Sequence, residues 1–224
     1  MRDKKLLNLT IIMQFYSGIK TINDSLEWNH SGSPAYYNLI KNLEVNPNIN
    51  YNLILLDTSE GTKKIKQLKL KNLKNRILIV PYFSLIYSNK ISFIKKIENF
   101  YNKFRQYILV FKYSKNSSFY YVDRDNIIFS FLVLSFQKKS KVVIRLLGVT
   151  ENLFHHLTIR KNLFSKIIKS VFINPKVHFI CSNDGSYAEV IQNQYLDKFH
   201  LMFNGVDSNI ERDIQESEKF NIVY

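Results

Sequence analysis

The sequence predicts an α/β fold, a Rossmann-like and mostly parallel sheet with helices on both faces. Three observations lead there. Short apolar runs alternate with segments of helical periodicity. Each run is nearly continuous in apolar character, as strands covered on both faces are. Breakers such as Pro34, Pro47, Pro81 and Gly148 fall between the runs.

The elements follow in order. Asn8 to Phe15 is a buried first strand, rich in β-formers. A polar stretch from Ser17 to Ser33 leads to Pro34, and Tyr36, Leu39, Ile40 and Leu43 then recur at helical spacing. Ser33 suits an N-cap and Pro34 the first helical position; Asn46-Pro47-Asn48 closes the helix. Tyr51 to Leu56 is a second strand ending at Asp57. Gly61 to Arg76 carries seven basic residues and no acidic one and is expected to be a basic helix. Arg76 to Val80 is a strand stopped by Pro81. Ile91 to Phe104 is an amphipathic helix with Ile94, Ile97, Phe100, Tyr101 and Phe104 in one stripe. Tyr107 to Phe111 and Phe119 to Val122 read as strands.

In the second half, Ile127 to Phe136 is too apolar for a surface helix and is expected to be packed on both sides. Lys141 to Leu147 is a strand ending at Gly148. Leu163, Phe164, Ile167, Ile168, Val171 and Phe172 form a helical stripe. Val177 to Ser182 is a strand. Tyr187, Val190, Ile191 and Tyr195 mark a helix capped from Ser182 or Asn183. Phe199 to Met202 is a short last strand leading into Phe203-Asn-Gly-Val-Asp207.

Composition bounds the rest. At 224 residues the chain is one large domain, or one domain and a fragment. With 46% hydrophobic and 22% charged residues it is neither disordered nor collagen-like. Its single cysteine, Cys181, excludes an internal disulfide and fits a reducing, cytosolic compartment. The most apolar window, Ile127 to Phe136, is about half the length a bilayer requires. Residues Met1 to Phe15 lack a signal-peptide cleavage site and read as a strand. The net charge of +14 suggests an anionic partner: nucleic acid, a phosphate-rich ligand or an acidic membrane surface. The abundance of Lys, Asn, Ile, Phe and Tyr equally fits an AT-rich coding sequence, so charge alone identifies no partner.

Chemistry in such a sheet belongs beyond the carboxyl ends of the strands. That rule selects Ser17 to Ser33, Pro81 to Phe83, Gly148 to Thr150, Asn183 to Gly185 and Asn204 to Asp207. Gly32-Ser33-Pro34 precedes a helix, where free N–H groups and the dipole favour an anion; a plain capped helix start reads the same way. Neither a dinucleotide fingerprint nor a Walker A loop is present, which argues against dehydrogenases and P-loop enzymes. Arg145 ends a buried strand and must find a partner or reach the crevice. Gly148 permits a tight turn or a close backbone approach. His155 and His156 are adjacent and point apart, a poor pair for a metal, and no metal is expected. Cys181 reads as a small core residue, and Ser186 lies in no nucleophile elbow. The basic segments Lys63 to Arg76 and Lys90 to Arg105 read as solvated faces or as contacts to phosphate or anionic lipid. A nucleic-acid role rests on charge alone and is disfavoured.

Three stretches carry a family resemblance. Tyr121-Val-Asp-Arg-Asp125 with the apolar helix after it, Lys141-Val-Val-Ile-Arg-Leu-Leu-Gly148, and Phe203-Asn-Gly-Val-Asp207 make residues 119–207 resemble the N-terminal half of family 4 glycosyltransferases of the GT-B fold. Residues before 119 match in layout, with Gly32 at the family's glycine-bearing loop. The resemblance implies a Rossmann-like acceptor-side domain over 1–207, a linker over 208–219, and the start of a truncated C-terminal domain over 220–224. It implies sugar transfer from a nucleotide sugar to a glycan or lipid-linked acceptor, without a metal or other cofactor, by an enzyme that is inactive without its donor-binding domain. Gly32, Ser33, Arg145 and Gly148 would bind substrate; Asn204, Gly205 and Asp207 would form the interdomain turn; no catalytic residue is assigned. Two departures stand out: Ser31 precedes Gly32 where paired glycines are common, and Val149-Thr150 follows Gly148 where many members place a histidine. The expected location is cytoplasmic, peripheral at the inner membrane face, within polysaccharide biosynthesis. The alternative is a non-catalytic module, from a truncated or split gene, that binds glycan or a partner chain.

Overall fold

The computed structural model describes residues 7–15, 34–57, 65–71, 73–81, 92–123, 126–182 and 187–202. Among the described residues there are eight strands: β1 (Leu7–Phe15), β2 (Ile49–Asp57), β3 (Lys66–Leu68), β4 (Ile77–Val80), β5 (Phe119–Asp123), β6 (Lys141–Leu146), β7 (Val177–Ser182) and β8 (Phe199–Met202). They form one sheet in the order β3-β4-β2-β1-β5-β6-β7-β8, and only the β3–β4 pairing is antiparallel. Six helices are described: α1 (Pro34–Val45), α2 (Ser92–Tyr113), α3 (Ile127–Phe136), α4 (Glu151–Thr158), α5 (Leu163–Ile173) and α6 (Ala188–Gln194).

Strand alternation sorts the core into two clusters. Ile11, Met13, Leu53, Leu55, Ile77 and Ile79 point to one face, where Tyr36, Ile40 and Leu43 of α1 cover them. Ile12, Ile54, Val122, Ile144, Phe179 and their neighbours point to the other, under α2 to α6. This is the consequence of right-handed crossovers. The chain steps one way from β1 to β2 with α1 on one face. It returns through α2 and proceeds from β5 to β8 with every later helix on the other. The doubly wound α/β class expected from the sequence is therefore the observed one.

Several elements differ from expectation. Within 65–71 and 73–81 there is no helix. Instead Lys66–Leu68 forms a short antiparallel edge strand on β4. Leu70 and Leu73 bury against the α1-side core while the lysines stay outside, and Lys69 Nζ donates to the carbonyls of Leu73 and Lys74, both at 2.6 Å. Lysines on an exposed edge also oppose pairing with another chain. Tyr107 to Phe111 is not a strand but the last third of α2. Helix α4 was not foreseen; Thr150 caps it, Oγ1 accepting from Leu153 N at 3.4 Å. Helix α6 starts at Ala188 with Tyr187 at its N-cap and no side-chain cap, so Ser182 does not cap it. The proposed linker 208–219 and the stretch 220–224 lie outside the described residues.

The sequence stripe of α2 faces outward rather than inward. Ile97, Phe100, Tyr101, Phe104 and Ile108 are exposed. The buried side carries Asn102, Gln106, Tyr107 and Val110. Gln106 is tolerated there because its Nε2 donates to the last carbonyls of β2 and β4, Asp57 O at 2.9 Å and Val80 O at 3.2 Å. A buried amide with partners is permitted where an unpaired one would be costly.

Candidate functional site

The sheet reverses its winding between β1 and β5: the chain leaves β1 toward β2 across one face and leaves β5 toward β6 across the other. Connections that depart in opposite directions open a crevice beyond the strand ends, where ligands bind in open α/β sheets.

Four side chains meet at this edge. Tyr36, in the first turn of α1, donates its hydroxyl to Oδ1 of Asp123, the last residue of β5. Asp123 is in register with Arg145 on β6. The Arg145 guanidinium stands over the Tyr36 ring at 4.8 Å. Tyr121, two residues before Asp123 and on the same face, meets the Tyr36 ring edge-on with centroids 5.9 Å apart. The cluster thus ties the start of α1 to the tips of β5 and β6. Burial, with Asp123 beside it, pushes the Tyr36 hydroxyl well above the ordinary tyrosine range, so it remains a hydrogen-bond donor at any physiological pH. Burial raises Tyr121 to about 12; Arg145 opposes that rise and Asp123 adds to it.

Gly148 ends the turn after β6. It is buried and its φ is 81°, in the left-handed region that a side chain disfavours. Buried Val149 and the Thr150 cap follow, so the turn passes directly into α4. The structure therefore brings Arg145 and Gly148 to the same edge as α1. Gly32 and Ser33 fall outside the described residues, immediately before α1; Asn204, Gly205 and Asp207 fall outside them too, just beyond β8.

On the other face, the N-cap of α3 is Asn126, which is buried and does not cap the helix with its side chain. Its Oδ1 accepts from Tyr107 Oη at 3.3 Å. Among the described residues, its Nδ2, both amide atoms of Asn102 and Ser130 Oγ are buried without a hydrogen-bond partner.

The two adjacent histidines diverge, as expected. His155 Nε2 lies 3.7 Å from Glu151 Oε1 on the surface of α4. His156 is buried in a network joining α4 to α5. Ser165 Oγ donates to Asn162 Oδ1 at 2.9 Å, so His156 Nδ1 carries the proton toward Ser165 Oγ at 2.8 Å. Nε2 then accepts from Arg160 Nη1 at 3.0 Å. Burial first, then Arg160 and His155, lower its pKa below the usual histidine value. This network holds the fold together and offers no free ring nitrogen. Among the described residues no group of three or more His, Cys, Asp and Glu could hold a metal ion, and Cys181 is buried in β7.

Concavities of about 200, 470 and 700 Å³ lie at the opposite edge, where the strands begin. The largest is lined by Lys115, Lys138, Lys139 and Lys141 beside Phe136. They are open clefts, the smallest lined mainly by residues of β2, β3 and β4; the winding reversal singles out the strand-end edge as the ligand site.

Sequence reasoning placed Arg145 and Gly148 at a strand end but missed Tyr36, Tyr121 and Asp123. The available signal was an acidic residue closing an otherwise apolar strand, Tyr-Tyr-Val-Asp123. Its pairing with Arg145 depends on a strand register that no local pattern encodes.

The fold and its edge define a Rossmann-like, doubly wound α/β protein. No protein-family model matches the chain, and no curated protein matches it. Among the described residues, no helix is long and apolar enough to cross a membrane.

Proposed function

We propose that residues 1–207 are the acceptor-side domain of a GT-B glycosyltransferase that moves a sugar from a nucleoside diphosphate sugar to a glycan or lipid-linked acceptor. The observation that carries this reading is the winding reversal between β1 and β5, with the start of α1, Arg145 and Gly148 gathered at its rim. Resemblance of the 119–207 sequence to family 4 supports it.

On this reading the bond between the sugar's anomeric carbon and the diphosphate oxygen breaks, and a bond from that carbon to an acceptor oxygen forms. The acceptor proton leaves with a base, and the charge that develops lies on the departing diphosphate. Backbone N–H groups at a helix start stabilise such charge, and Gly32 and Ser33 directly precede α1 in the sequence. The Tyr36–Asp123 hydrogen bond would hold that helix start in place. Arg145 would orient acceptor or phosphate from β6, and Gly148 would let the backbone approach the ligand. A donor-binding domain would complete the enzyme.

The test is a transfer assay. The chain is incubated with labelled UDP-, GDP- and ADP-sugars and membrane or glycan extract, alone and together with the polypeptide encoded next to it. Transfer that requires both parts is the expected result. A complete two-domain protein that moves no sugar from any of these donors would overturn the reading.

A further inference from the structure

The edge where the strands begin, opposite the crevice, has a chemistry of its own. Helices α2 and α3 both end there, at Tyr113 and Phe136, and the turns after them lead into β5 and β6. The three clefts at this edge are continuous. Those of about 200 and 470 Å³ share Asn52 and Tyr113, and those of about 470 and 700 Å³ share Lys115, Asn116 and Ser117. Together they form one groove crossing β4, β2, β1, β5 and β6. At about 4.8 Å from strand to strand, the groove is about 19 Å long.

Its charge has one sign. Arg76, Lys112, Lys115, Lys138, Lys139 and Lys141 line it, and all six are exposed. Among the described residues no acid lines any part of it. The carboxyl ends of α2 and α3 bring about half a negative charge each, so the helix dipoles offset roughly one of the six cations. The rest repel one another and favour an anion from outside the chain.

Two rings stand among these cations. Tyr113 is 44% exposed and Phe136 is 73% exposed. Phe111 braces Phe136 edge to face, with centroids 6.0 Å apart. Exposed rings along a basic groove are stacking platforms for unpaired bases. Asn52 and Asn116, exposed beside them, carry amides that both donate and accept, as the edges of bases require. Charge alone identified no partner; the groove adds length, rings and amides. We infer that it binds single-stranded nucleic acid, with phosphates on the lysines and bases stacked on Tyr113 and Phe136. A duplex fits less well, because its bases stack on one another and cannot reach the rings. An anionic glycan would need an acid group on nearly every sugar to match six cations in this length, whereas a nucleic-acid strand carries a phosphate on every nucleotide. The inference does not depend on the glycosyltransferase reading.

The test is fluorescence anisotropy of labelled thymidine and uridine strands of about 15 nucleotides, titrated with the full chain between about 50 and 300 mM salt. Binding is expected, with log K falling against log salt at a slope of about −4 if all six cations meet phosphates. Phe136→Ala removes an exposed ring and should weaken binding about fivefold or more. A base-free phosphodiester strand of the same length should bind more weakly by at least the same factor. Lys138→Gln with Lys139→Gln should make the slope shallower by about 1.4. Circular dichroism verifies that both variants fold. No binding at about 50 mM salt, equal binding of the base-free strand, or full binding by the Phe136 variant would overturn the inference. So would an oligogalacturonate of equal charge that binds more tightly than either strand, since the groove would then belong to an anionic glycan.

Discussion

Replacing Arg145 by leucine tests how the strand-end cluster is held. The guanidinium lies over the Tyr36 ring at 4.8 Å and across the strand pair from Asp123. A partly desolvated cation–ring contact is worth about 1–2 kcal/mol, and an opposite-charge cross-strand pair about 0.2–1 kcal/mol. Leucine in the same half-buried position recovers about 1 kcal/mol by burial. The net loss is about 0.2–2 kcal/mol, and in a chain of this size that lowers Tm by up to roughly 8 °C. Urea unfolding followed by circular dichroism reads the first quantity and a thermal melt the second. The same variant makes a spectroscopic prediction. Arg145 is what pulls the Tyr121 hydroxyl down against burial, so without it Tyr121 ionises above its present value of about 12, and tyrosinate absorbance on alkaline titration should show the change. Arg145→Lys keeps the charge, loses the flat stack and should fall between wild type and Arg145→Leu in both readouts. An Arg145→Leu protein with wild-type stability and an unchanged tyrosine titration would refute the cluster as described.

Further outcomes follow from the same geometry. Gly148→Ala forces a side chain onto a buried residue at φ 81° and should cost about 1–2 kcal/mol in a chemical melt. Gln106→Ala removes the amide that donates to the carbonyls at the ends of β2 and β4 and should cost about 1–3 kcal/mol, with Gln106→Glu no rescue because a carboxylate cannot donate to them. At alkaline pH the raised hydroxyls of Tyr36, Tyr51, Tyr120 and Tyr121 stay protonated in the native state while the unfolded chain loses those protons near pH 10; stability should therefore fall steadily above pH 10, and Tyr121 alone accounts for about 2–3 kcal/mol by pH 12. At acid pH the slope is reversed: the pKa of His156 is lowered on folding, so the unfolded chain binds a proton first and stability falls as pH drops below about 6.5. His156→Gln should flatten that slope.

Strands buried on both faces announce themselves, as β1 and most of β2 do, and apolar runs between breakers sufficed for the half-buried β7 and the edge strand β8 as well. Helix α1 was equally plain, because Pro34 starts it and Tyr36, Ile40 and Leu43 keep their spacing on the core side. Periodicity cannot say which side of a helix faces inward, and α2 shows why. Its buried side holds Asn102 and Gln106, and Gln106 is acceptable there only because two strands end beside it, a fact of topology. The lysines of 63–76 looked like one face of a helix, yet edge strands use lysine as readily as helices do. At the candidate site, Arg145 and Gly148 were legible as the end of a buried strand. Tyr36 and Asp123 were not, since their contact joins residues 87 positions apart and exists only in the assembled sheet.

The central claim is that ligand enters at the strand ends where winding reverses, and amide chemical-shift mapping of the labelled chain tests it most directly. Titration with UDP- and GDP-sugars and with acceptor oligosaccharides should move the amides of Gly32, Ser33, Gly148 and Val149. Shifts confined to Asn50, Asn52, Asn116 and Lys139, at the edge where the strands begin, would contradict it.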